Sequence, residues 1–100
     1  MEITIQNNQE NVTAILKGSF DTLAAEQAEA SVKELESLAS KPMVIDCNAL
    51  DYIASSGLRV LLRLRKASAA QGQQVTLLGV NEHIMEVLKV THFDRMFIIQ

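Results

Sequence analysis

The chain has 100 residues, 48% of them hydrophobic and 21% charged, and its 9 Lys and Arg against 12 Asp and Glu leave a net charge of −3. That size and apolar content predict one globular domain over residues 1–100 with a single core, and exclude a disordered chain. The acidic balance excludes a general electrostatic pull on nucleic acid or an anionic membrane, and the lone Cys47 excludes an internal disulfide or a thiolate metal site of its own.

No apolar run approaches the roughly 18 residues of a membrane span, and the opening MEITIQ has none of the layout of a signal peptide. The expected setting is therefore the cytoplasm, with no direct membrane insertion.

Taken in chain order, residues 2–7 alternate with Ile3 and Ile5 on one face, and residues 11–17 alternate with Val12, Ala14 and Leu16. The polar QNNQEN between them is a hairpin turn. Gly18 is expected to end the second strand, after which SFDT leads into a helix capped by Asp21 or Thr22. In that helix Ala24, Ala28, Val32, Leu35 and Ala39 recur at helical spacing, an apolar stripe narrow enough to pack closely on a sheet. Glu26, Glu29, Lys33 and Glu36 lie on its other side, with Glu29 and Lys33 spaced as an i,i+4 pair.

Ser-Lys-Pro at 40–42 stops this helix. Residues 43–47, MVIDC, have the short, β-branched character of a central strand. NALDYIASSG is expected as a loop, followed by a helix from about Ser55 to Gln71 that Gly72 ends. QVTLLGV forms the next strand, Asn81 caps a third helix with Ile84, Val87, Leu88 and Thr91 on one face, and MFIIQ makes a last strand.

The order β β α β α β α β predicts an α/β fold: a mixed, mostly parallel sheet with an N-terminal β-hairpin and about three helices. In such sheets the loops at the carboxyl ends of the parallel strands gather on one rim. Here they would bring Asp21, Ser55, Ser56 and Asn81 together.

The middle loop is the most informative of these. A serine at a helix N-terminus meets unpaired N–H groups and the positive end of the helix dipole, so it can serve as a cap. The same place tolerates a phosphoserine. Gly57 frees the turn and permits close backbone approach, and Arg59, four residues after Ser55, could reach back to a phosphate. Arg59, Arg63 and Lys66, with Arg65 beside them, form the only single-sign run in this acidic chain. They are either a solvated helix face or a docking surface for an acidic partner.

Catalysis by Ser55 would require a base within reach and an oxyanion hole. The two histidines, His83 and His92, have no evident carboxylate partner in the sequence, and IASSG lacks the first glycine of a nucleophile elbow. No phosphate loop, dinucleotide fingerprint or zinc motif is present. The reading is that of a non-enzyme, with no catalytic residue, metal or cofactor called for.

With VIDCNALDYIASSGLRVLLRLRKAS in view, the chain resembles the STAS domain of bacterial anti-sigma factor antagonists over nearly its whole length. GSFDT is similar to that family's first-loop turn, LDYIASSGL to its serine loop, and THFDRMFII to its last helix-to-strand passage. The serine loop is the specific part of the match.

The resemblance implies a partner switch. When Ser55 is unphosphorylated the domain binds an anti-sigma factor, often itself a GHKL-fold serine kinase; phosphorylation of Ser55 breaks the complex, and a PP2C-type phosphatase restores it. By motif the phosphoacceptor is Ser55, with Ser56 as the second candidate. Asp21, Ala54, Ser55, Ser56, Gly57, Arg59 and Arg63 are the implied partner-binding positions. Many members carry an acidic residue immediately before the phosphoacceptor, where this chain has Ala54. The alternatives are a STAS subunit of a lipid-transport or other signalling assembly without a phosphorylation cycle, and a hydroxyl-dependent hydrolase.

Overall fold

Glu2–Asn7 (β1) and Val12–Phe20 (β2) form the expected antiparallel hairpin, with Ile3 opposite Leu16 and Ile5 opposite Ala14. The computed structural model describes residues 1–100. Beyond the hairpin every pairing is parallel: β2 with Met43–Ile53 (β3), β3 with Val75–Leu78 (β4), and β4 with Ile98–Ile99 (β5). The spatial order is β1-β2-β3-β4-β5. Between the strands run Thr22–Gln27 (α1), Glu29–Ser37 (α2), Ser55–Ala70 (α3) and Glu82–Val90 (α4), and one 3-10 turn, Phe93–Arg95, precedes β5.

Each crossover steps to the next strand in the same direction, so right-handed connections place the helices on one face of the sheet. That face holds the core. Val12, Ala14 and Leu16 of β2, Met43, Ile45 and Cys47 of β3, and Val75 and Leu77 of β4 are all buried there. The intervening Thr13, Ile15, Val44, Asp46, Thr76 and Leu78 are half-buried on the opposite face. The alanine-rich stripe is confirmed, since Ala24, Ala28, Val32, Leu35 and Ala39 are all buried.

Three expectations about elements are corrected. The first helix is two helices, broken at Ala28 (φ −82°, ψ −3°). The break is a kink: Ala28 N–H still donates to Ala24 O and Val32 N–H to Ala28 O, both at 2.9 Å, so the buried stripe crosses it unturned.

Gly18 does not end β2, which runs to Phe20. It lies at an irregularity in the β2–β3 register with φ +105°, a backbone conformation glycine adopts at little cost. The expected loop at 48–57 is largely strand, because β3 continues to Ile53 against the lengthened β2, pairing Leu50 with Gly18 and Ile53 with Phe20. Only Ala54 separates β3 from α3.

Candidate functional site

The last residues of β2 and β3 lie side by side, so the helices that follow them start together. Ala54 N–H donates to Phe20 O at 2.9 Å, and Leu58 N–H returns to Ala54 O at 3.0 Å as α3 begins. Gly57 makes this contact possible: a Cβ there would lie 2.8 Å from Ile53 Cγ1 and 3.0 Å from both Phe20 Cγ and Phe20 O. The glycine is buried, and any side chain at that position would push α3 off the strand ends.

Each neighbouring helix start is capped. Asp21 Oδ1 accepts from Ala24 N–H at 2.8 Å at the head of α1, and Asn81 Oδ1 accepts from Ile84 N–H at 2.8 Å at the head of α4. Asn81 Nδ2 also donates to Leu50 O and Asp51 O at 3.3 and 3.4 Å, which ties α4 to the end of β3. The three strand-to-helix junctions therefore do form one rim, and Asp21 serves there as a cap.

α3 differs. Its N-cap is Ala54, extended at φ −91°, ψ 172°, with no side-chain hydrogen bond and no acidic residue in the first turn. Ser55 is the first helical residue and is not the cap. It is exposed, and its hydroxyl makes no hydrogen bond to the rest of the chain. Ser56 is half-buried and donates from Oγ to Thr22 Oγ1 at 3.2 Å, which joins α3 to α1. The two serines thus have different tasks: Ser56 has an internal partner, and Ser55 faces water at the open, positive end of a 16-residue helix.

The basic run divides as well. Arg63 Nη1 donates to Glu29 Oε2 at 2.8 Å, and Nη2 to Glu29 Oε1 at 3.3 Å and to Glu36 Oε1 at 2.8 Å. Its charge is spent within the chain, strapping α3 to α2. The hydrogen bond from Arg63 holds the Glu29 carboxyl below its ordinary value, and the two carboxylates in turn raise the guanidinium above its own. Glu29 is thereby taken from its expected partner Lys33, whose nearby charge lowers the Glu29 carboxyl only as a lesser cause. Arg63 is a poor candidate for a docking contact. Arg59, exposed one turn beyond Ser55, has no internal partner and remains a free cation beside the serine.

Two exposed apolar side chains lie on the same rim without having been singled out in the sequence. Leu23, in the first turn of α1, is 61% exposed, and Tyr52, two residues before Ala54, is 44% exposed. The Tyr52 ring stacks on His83 of α4 with centroids 6.5 Å apart. The signal for Leu23 was available: it falls one residue outside the Ala24–Ala28–Val32 stripe, so a large apolar residue was bound to face solvent. Neither His83 nor His92 hydrogen-bonds to a serine hydroxyl.

Comparison with known proteins decides the family at this point. The STAS domain model matches residues 2–100. The chain belongs to the STAS domain family. It is 30% identical over 97 residues to BtrV of Bordetella bronchiseptica, named as an anti-sigma factor antagonist, with 97% of this chain and 84% of that protein covered. Among solved structures, a candidate anti-sigma factor antagonist of Thermotoga maritima superposes with a TM-score of 0.86 at 20% identity, covering 97% of this chain and 84% of the other. The Bacillus cell-fate determinant SpoIIAA, solved in its phosphorylated form, superposes at 0.75 with 18% identity over 99% and 91% of the two chains. These structures share the STAS fold. BtrV and SpoIIAA are both named for anti-sigma factor antagonism, which supports a partner-switching role at the level of the family. No helix of this STAS domain is long and apolar enough to cross a membrane.

Proposed function

We propose that this chain is an anti-sigma factor antagonist switched at Ser55. The observation that carries the reading is the state of that hydroxyl: exposed, unbonded and first in an uncapped helix. A serine whose task was capping would spend its oxygen on the N–H groups of the first turn. This one leaves both itself and those groups available.

Unphosphorylated, the rim of Leu23, Tyr52, Ser55 and Arg59 forms the face that docks on an anti-sigma factor. The partner kinase is a GHKL-type serine kinase, the anti-sigma factor itself, and a PP2C-type phosphatase reverses the modification. A phosphate adds about −1.5 to −2 charges at neutral pH. Held in a packed interface, that charge meets desolvation and like-charge penalties of several kcal/mol, and every ~1.4 kcal/mol is a tenfold loss of affinity. The domain is a binding module with no chemistry of its own. What supports this is that neither imidazole is bonded to a serine hydroxyl, so Ser55 lacks the base a nucleophile requires.

The test is to incubate the chain with ATP and a candidate GHKL-type anti-sigma kinase from the same organism, then locate phosphate by mass spectrometry. The expected result is a single phosphate on Ser55 that is absent from Ser55→Ala. Phosphate on Ser56 alone, or on no residue with a kinase shown active, overturns the assignment. Ser55→Asp should bind that kinase at least tenfold more weakly than wild type; equal affinity removes electrostatic release as the mechanism.

A further inference from the structure

A second polar feature lies at the other end of α3. The helix rises about 1.5 Å per residue, which puts Arg65 roughly 15 Å and Ala69 roughly 21 Å along its axis from Ser55. There a cleft of about 440 Å³ opens between the end of α3 and the segment entering β5. Its accessible apolar part is Ala69, Met96 and Ile98, the last two 37% and 39% exposed, over a floor formed by the core residues Val75 and Phe97. Its polar part is Arg65, Arg95, Gln73 and Gln74.

Both arginines lack an acidic partner, since every ion pair in the chain belongs to Arg63. Arg65 is nevertheless held in place. Its Nε donates to Met96 O at 3.0 Å, and both Nη groups are left unengaged. Arg95 makes no side-chain hydrogen bond. Gln73 is fixed by donation from Nε2 to Ser40 O at 2.9 Å, while the Gln74 amide is unengaged.

No carboxylate lines the cleft; Asp94 is outside it, with Oδ1 buried and unpartnered. The opposing field is the carboxyl end of α3, worth about half a negative charge, against the two guanidinium groups of the lining. The balance is firmly positive in a chain whose net charge is −3.

We propose that this cleft binds a small organic phosphate, a phosphate monoester whose body rests on the exposed Met96 and Ile98. A lone carboxylate has two oxygens and one charge and is satisfied by a single arginine fork. A phosphate monoester offers three acceptor oxygens and a double charge, enough to engage both forks and the Gln74 amide together. The volume falls within the ~300–1,000 Å³ range of small-ligand sites. The proposal is independent of the Ser55 switch.

Titration of the ¹⁵N-labelled full chain with phenyl phosphate, inorganic phosphate and benzoate tests it. Saturable shifts are expected at the Met96 and Ile98 amides and at Arg65 Nε–H, with phenyl phosphate bound tightest. Arg95→Gln removes no internal hydrogen bond or ion pair and should fold, and it should weaken phenyl phosphate about tenfold. Arg65→Gln should do the same, and Ser55→Ala should change nothing. Absence of saturation, unchanged binding by Arg95→Gln, or shifts centred on residues 55–57 overturns the site. Equal affinity for inorganic phosphate and phenyl phosphate overturns the organic part of the ligand.

Discussion

At the scale of single residues, Ala54 and Gly57 decide what Ser55 is free to do. Ala54 occupies N-cap geometry but has no oxygen to accept from the first turn of α3. Ala54→Asp should supply that acceptor and stabilise the domain by about 1 kcal/mol, raising the melting temperature by roughly 4–8 °C. An unchanged melting temperature would mean that the first-turn N–H groups are already satisfied, and with that the argument for an open helix end would fail. Gly57→Ala tests the close contact from the other side. Alanine gains at most about 1 kcal/mol of helix propensity over glycine, whereas overpacking against Ile53 and the Phe20 backbone costs about 1–3 kcal/mol. The clash wins, so thermal denaturation should show a lower midpoint. A higher midpoint would show that α3 can lift off the strand ends without loss.

At the scale of elements, the strap between α2 and α3 has a pH signature. Glu29 has a folded pKa below its ordinary 4.5 because Arg63 donates to it. Its contribution is therefore present above pH 4.5 and is lost as pH falls through the depressed folded value. Arg63→Gln should melt slightly below wild type at neutral pH, the pair being solvent-exposed and salt-screened. The gap should close in acid below pH 4.5; a gap that persists there would place the role of Arg63 in packing and not in charge. This strap was not legible in the sequence, because its residues lie 27 and 34 positions apart and the local Glu29–Lys33 spacing offered a simpler pairing. The strands and helices were legible wherever one period held, as in the alanine stripe and in 43–47. They were misread where the period changed. After Cys47 the buried positions of β3 are Leu50 and Ile53, a spacing of three produced by the register irregularities against β2, and without alternation a strand looks like a loop. The kink at Ala28 was hidden for the opposite reason, since an alanine on a buried face looks the same in a continuous helix as at a bend.

At the scale of the whole molecule, the sequence placed the candidate rim correctly through topology, since parallel strands bring their carboxyl ends together wherever the connecting helices run. It could not show that Ser55 lies one residue inside the helix, because cap and first-turn positions differ by a single step of chain that the Ala54–Phe20 and Leu58–Ala54 hydrogen bonds fix. That step determines how a switch can work here. If Ser55 were the cap, a bulky phosphate would replace a hydrogen bond that holds α3 in place, and the modified domain would be less stable. Because its hydroxyl holds nothing, the phosphate adds negative charge at the positive end of an uncapped helix, worth about 0.3–1 kcal/mol at an exposed site. Phosphorylated protein should therefore melt above the temperature of the unmodified chain, by about 1–8 °C, and the gain should shrink as salt is added. Calorimetry of the two forms at low and high salt measures this directly. A fall in melting temperature on phosphorylation would mean that the switch acts by loosening the helix. A stable phosphorylated domain that no longer binds its partner would place the whole effect at the docking face, where two added charges are enough to separate the complex without moving the fold.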